Sequence, residues 1–133
     1  MGIAYAHLRL GNDAAPELEE IDAEALVDTG TLHLCIPEVV AARLRLKETG
    51  ARDVTLADGA TQRVRYVSPV RIEMLGRVCV TGALVLGDQV LLGAIPMEDM
   101  DLIVEPALQR VSTRPESPLV PRSIAKGMRA SHA

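Results

Sequence analysis

From Val54 to Leu92 the apolar residues fall on alternate positions, and turns bearing glycine break the runs. Val54 and Leu56 precede Asp58-Gly59, Val64 and Tyr66 follow it, Val70, Ile72 and Met74 lead to Gly76, and Val78 and Val80 resume beyond it. Successive side chains of a strand point to opposite faces, so a period of two marks strands with one face buried. Asp-Gly between two such runs predicts a hairpin with a two-residue turn. Further strands are expected at residues 83–86 and 89–92, divided by Gly87-Asp88, with a last short one at 102–104. Ile3, Tyr5, Leu8 and Leu10 predict a first strand whose alternation slips at His7-Leu8 and which Gly11-Asn12-Asp13 ends.

This pattern needs a core with little aromatic material, since Tyr5 and Tyr66 are the only two aromatic residues of the Phe, Trp and Tyr class. Val, Leu, Ile, Ala and Met must fill it, a palette that favours strands. At 133 residues and 48% apolar content the chain can bury one compact core. One or two short helices interrupt the strands. Pro37 and Glu38 suit a helix start, Val40 and Leu44 share a face, and Gly50 supplies a stop, which predicts a helix over 37–47. Residues 96–100 could form one helical turn. Residues 16–26 pull two ways: Ile21, Ala23, Ala25 and Val27 alternate as in a strand, whereas the Ala, Glu and Leu content favours a helix. Glu17, Glu19, Glu20, Asp22 and Glu24 read as a solvated face. Beyond Val111 the composition turns to Ser, Pro, Arg and Lys, predicting a domain over 1–111 and a mobile tail over 112–133.

A formal charge of -4 with no cluster of Lys and Arg argues against nucleic acid as a partner. No apolar run approaches the roughly 18 residues a membrane helix needs. The start of the chain lacks the basic and apolar regions of a secretory signal, so a cytoplasmic protein is expected. Cys35 and Cys79 then read as buried thiols. His7, His33 and His132 with these cysteines lack the paired close spacings of a zinc site, and no glycine-rich run precedes a helix to cradle phosphate, so neither metal nor cofactor is expected. His33 and Cys35, two apart on a strand, share a face; a surface histidine beside a buried cysteine and a thiol nucleophile with its base are the two readings of that pair.

The segment richest in chemistry is Ala25-Leu26-Val27-Asp28-Thr29-Gly30-Thr31, an apolar strand running into a carboxylate and a tight turn. By itself Asp28 could simply open that turn. In order along the chain there follow the Asp58-Gly59 hairpin and then Val90-Leu91-Leu92-Gly93, an apolar strand closed by glycine. This series, spanning roughly residues 3–106, resembles the retropepsin-like aspartic proteases, including their short bacterial members. The resemblance implies a mainly β fold, a closed β-barrel forming one half of an acid protease, with one or two short helices. It implies an aspartic endopeptidase acting on polypeptides, with Asp28, Thr29 and Gly30 as the catalytic triplet. Thr31 and the hairpin tip, Ala57, Asp58, Gly59 and Ala60, would contact substrate.

Two carboxylates sharing a proton can activate a water and polarise a carbonyl together. The chain has a single Asp-Thr-Gly, so the second carboxylate must come from a symmetry mate and a homodimer is expected. Leu32, His33 and Ala94 depart from the acidic pair and the arginine that viral members carry. A non-catalytic module of the same fold that binds peptides or serves assembly is therefore the alternative.

Overall fold

The computed structural model describes residues 4–130. Ile3 and His132 lie outside them. Strand β1 (Ala4–Asn12) pairs antiparallel with β2 (Ile21–Val27), with Leu10 opposite Ile21 and Ala4 opposite Val27. Ala4, Leu8 and Leu10 face inward on β1 without a slip, because the alanines keep the alternation that Tyr5, 52% exposed, does not share. On β2 the strand reading prevails over helix propensity: Ile21, Ala25 and Val27 are buried while Asp22 and Glu24 face water, which only a period of two can achieve. β1 also continues through Gly11 to Asn12, whose buried amide donates to the Leu44 carbonyl at 2.8 Å and accepts from the Ala14 N–H at 2.9 Å.

Strand β3 (Leu34–Ile36) leads into helix α1 (Glu38–Arg43), which is shorter than predicted. Val40, Ala41 and Leu44 bury its inner face, and the chain then breaks at Arg45, in the left-handed region at φ 50°. Lys47 already opens strand β4 (Lys47–Thr55), so Gly50 is no helix stop but sits at the register shift of that strand. Strand β5 (Thr61–Met74) pairs with β4 over its first half and with β1 near its end, where Ile72 lies opposite Leu10. The intervening turn is not the two-residue type expected from Asp58-Gly59. Gly59 donates to the Leu56 carbonyl at 2.9 Å and, of this turn's residues, alone adopts positive φ, at 86°. That is a three-residue connection closed by one left-handed glycine. Asp58 instead accepts the Ala60 N–H at 2.9 Å.

Strand β6 (Arg77–Val85) is one strand where two were expected, with Gly82 inside it. Strand β7 (Leu91–Leu92) is brief and runs into helix α2 (Ala94–Asp99), which begins two residues before the predicted turn. The sheet order β1-β2-β7-β3-β6-β5-β4, with β5 returning to pair with β1, closes six strands into a barrel and leaves β4 outside the ring. Leu8, Leu10, Leu34, Ile36, Ile72, Leu92 and Met100 fill its interior. The protein is thus mainly β with two short α-helices, the fold class expected from the sequence.

Strands β8 (Leu102–Glu105) and β9 (Arg110–Thr113) form a separate two-stranded sheet, so Ser112 and Thr113, expected in a mobile tail, are paired strand residues. Ser117 is buried as well. The cause is a polar cluster that no periodicity reveals. Arg77, 5% exposed, donates to the Met100 and Asp101 carbonyls at 2.9 Å each and also to the Ser117 carbonyl. Asp101 accepts from the Ser117 hydroxyl, from the Arg122 N–H at 2.9 Å and from Arg114 Nε at 2.9 Å. These bonds hold its carboxyl well below the usual range, the Ser117 hydroxyl contributing most. From Pro118 to Ala130 the side chains are exposed. No helix among the described residues is long and apolar enough to cross a membrane.

Candidate active site

β2 delivers Asp28 to its position through the sheet. The N–H groups of Leu26 and Asp28 donate to the carbonyls of Val90 and Leu92, at 3.0 and 3.1 Å, so the strand holds its register to its last residue. Past Val27 the chain turns within its own hydrogen bonds, the Thr31 N–H reaching the Asp28 carbonyl at 3.1 Å. The side chain of Asp28 is fixed at both oxygens. Gly30 N–H donates to Oδ1 at 2.9 Å and Thr31 Oγ1 donates to Oδ2 at 3.2 Å. Asp28, Thr29 and Gly30 are exposed, and among the described residues the Thr29 hydroxyl has no hydrogen-bond partner.

Helix α2 braces this loop from behind. Ala94 N–H donates to the Thr31 carbonyl at 2.7 Å and Ile95 N–H to the Leu32 carbonyl at 2.8 Å. Such proximity requires glycine at position 93. A Cβ there would fall 2.4 Å from the His33 carbonyl oxygen, 2.6 Å from that of Thr31 and 2.7 Å from the Leu32 carbonyl carbon, all backbone atoms that cannot swing aside. The apolar-apolar-glycine signal at Leu91-Leu92-Gly93 thus has a steric cause.

Beside the loop opens a cleft of about 500 Å³. Gly30, Thr31, Leu32 and His33 form one part of its lining, Arg52 to Ala57 on β4 and the hairpin another, and Leu84, Leu86, Leu91 and the residues 87–89 a third. Of the residues singled out from the sequence, Gly30, Thr31 and Ala57 border the cleft together. Asp28 and Thr29 stand just outside that lining, on the exposed side of the loop, and Asp58, Gly59 and Ala60 form the exposed hairpin turn.

Cys35 and His33 do share the cleft wall, as their spacing implies. Burial pushes the Cys35 thiol up, while burial and the nearby Arg52 push the His33 imidazole down. Both shifts favour neutral partners, the opposite of the thiolate and imidazolium that a cysteine nucleophile requires. Cys79 is buried too, and burial followed by the neighbouring Asp99 raises it to about 12. No group of three metal-ligating side chains lies together among the described residues.

Sequence reasoning missed Arg52, Tyr66 and Gly82. Arg52 sits over the Tyr66 ring with its guanidinium carbon 4.2 Å from the centroid, and His33 meets the same ring edge-on at 5.9 Å. The only advance signal was a glycine inside an apolar run, which marks a close approach.

A family model described as aspartyl protease matches residues 15–116, which include the Asp28 loop, the hairpin, Gly93 and α2. No curated protein matches the chain.

Proposed function

Since the chain belongs to the aspartyl protease family, and a protease-type function follows from that membership, we propose that it is an aspartic endopeptidase whose active form is a homodimer. Asp28 of each protomer would contribute one carboxylate of the catalytic pair. The observation that carries this reading is the Asp28 side chain itself: exposed at the end of a fixed strand, held at both oxygens, and bordering an open cleft through Gly30 and Thr31.

Two carboxylates about 3 Å apart cannot both ionise cheaply, so the pair carries one proton. The ionised member takes a proton from a water as that water attacks the peptide carbonyl carbon, while the protonated member gives its proton to the carbonyl oxygen. The resulting gem-diol collapses with cleavage of the C–N bond: the amine nitrogen takes a proton from one carboxyl of the pair while a diol hydroxyl returns its proton to the other, leaving a carboxylic acid, an amine and a pair that again carries one proton. One protomer supplies half of this arrangement. The exposed Thr29 hydroxyl is free to bond across the dimer axis, and the exposure of residues 28–30 suits a surface that a second copy covers. The hairpin tip, Ala57 to Ala60, would close over an extended peptide and offer it backbone hydrogen bonds.

The decisive variant is Asp28→Asn. It keeps the size of the side chain and an acceptor oxygen, and its site is exposed, so folding should be unaffected. Peptide hydrolysis should fall by at least about 10²-fold to 10⁴-fold, the usual contribution of a general acid or base. An Asn variant cleaving at the parent rate would end the proposal. Peptide binding without cleavage by the parent dimer would favour the non-catalytic alternative instead.

A further inference from the structure

The cleft contains a positive charge whose placement is built from three strands. Gly82, on β6, leaves room for the Tyr66 ring of β5: a Cβ at that position would lie 2.0 to 2.4 Å from ring atoms and the hydroxyl oxygen. Tyr66 therefore lies across the backbone of β6. Arg52, from β4, rests on that ring at 4.2 Å, a cation–π distance. Stacking occupies the face of a guanidinium and leaves its N–H edge free for a planar acceptor.

That edge has no carboxylate. Among the described residues Arg52 forms no ion pair, and its one side-chain hydrogen bond goes to the adjacent Ala51 carbonyl at 3.4 Å. Its neighbour Asp53 is engaged by Arg63 at 2.9 and 3.3 Å. His33, on the same ring, is kept towards neutrality by burial and by Arg52, leaving Arg52 as the fixed cation of the cleft. The apolar part of the same lining is Val54, Leu56, Leu84, Leu86 and Leu91. The other unengaged charge of the lining is Asp88, on the loop between β6 and β7.

We infer that Arg52, seated on Tyr66, is a specificity-determining residue that selects peptides carrying an Asp or Glu side chain next to the apolar residue the cleft takes up. A carboxylate meets the free guanidinium edge through two parallel N–H···O bonds, a geometry that an amide or an ammonium cannot reproduce. This inference rests on the proteolytic reading of the same site and extends it to substrate class.

The test uses the full chain and matched peptides with Glu, Gln or Lys at each position flanking the scissile bond. Cleavage is followed with the parent protein, and binding to the Asp28→Asn variant is measured by calorimetry, so affinity can be read without turnover. At one position Glu should be preferred over Gln by about tenfold, the value of one charge-assisted contact, and Lys should be disfavoured. Arg52→Gln should bring the ratio of Glu to Gln to about one. Arg52→Glu should favour Lys, and Tyr66→Leu should weaken the preference by removing the platform. A ratio near one at every position, a ratio unchanged in Arg52→Gln, or no peptide bound at all would overturn the inference. A preference of the parent for Lys would assign selectivity to Asp88 and overturn it as well. The two readings fail separately: cleavage independent of Asp28 defeats the protease mechanism, whereas cleavage dependent on Asp28 without a Glu preference defeats only the role of Arg52.

Discussion

The loop carrying Asp28 and the β4–β5 hairpin border the same cleft, yet they are held in different ways. The loop is tied from two sides: β7 fixes Asp28 through its backbone, and the first N–H groups of α2 take the Thr31 and Leu32 carbonyls. Gly93 brings those backbones into contact. The outer strand of the hairpin, β4, has little beyond its own ladder, although Val64 and Tyr66 of β5 pack inward. Every residue of β4 is exposed except Val54, which is half-buried, and its flanking ion pairs, Arg63 with Asp53 and Arg65 with Glu38, lie on the surface. A reacting group needs a fixed geometry, and burial of its supporting backbone supplies it. A cover that admits an extended chain must open at low cost, and few buried contacts allow that. Under the proposed reading, one small barrel sets its packing behind the reacting group and leaves its exposed ladder for access.

Placing a methyl group against the loop should break the more rigid side. Gly93→Ala sets a Cβ against three backbone atoms, and a loss of about 3 kcal/mol is expected from such overpacking. Denaturant unfolding would report it, and peptide hydrolysis should fall in parallel; a variant with parent stability and activity would show that the loop has slack.

A smaller loss is expected behind the loop, where Asp101 follows α2. Its folded-state carboxyl is depressed, so it adds stability above the unfolded carboxylate value of about 4, and that addition fades as pH falls towards the depressed value. Asp101→Asn should therefore be less stable than the parent at neutral pH, with the gap closing in strong acid. Denaturation midpoints at neutral and acidic pH give the comparison, and a gap independent of pH would contradict the charge assignment.

The hairpin should respond least in stability and most in access. Gly59→Ala meets open space but must adopt φ 86°, a strain of about 1 kcal/mol. The melting temperature should drop slightly while KM changes more than in any comparably mild loop variant. An unchanged KM would remove the hairpin from substrate access.

Much of this contrast was legible in the chain itself. The alternation through β5 and β6 and the choice of strand at Ile21 to Val27 follow from burying one face of a sheet. Less legible were the endings. Val40 and Leu44 share a helical face as predicted, yet pairing of Lys47 with Ser68 pulls the following residues into β4. Asp58-Gly59 marks a turn, but the pairing of Thr55 with Thr61 sets its length. The composition of residues 112–117 suggests a tail, and Asp101 and Arg77 hold that segment down from remote positions.

By itself the sequence determined the class of fold and the segment where a carboxylate meets a tight turn, because periodicity and glycine placement act over a few neighbouring residues. Tertiary structure alone decided that Gly93 presses on the Asp28 loop, that Arg77 and Asp101 anchor the segment after β9, and that Gly82, Tyr66 and Arg52 stack into one charged wall. Those contacts join residues distant in the chain, and only the register and closure of the barrel fix which of them meet.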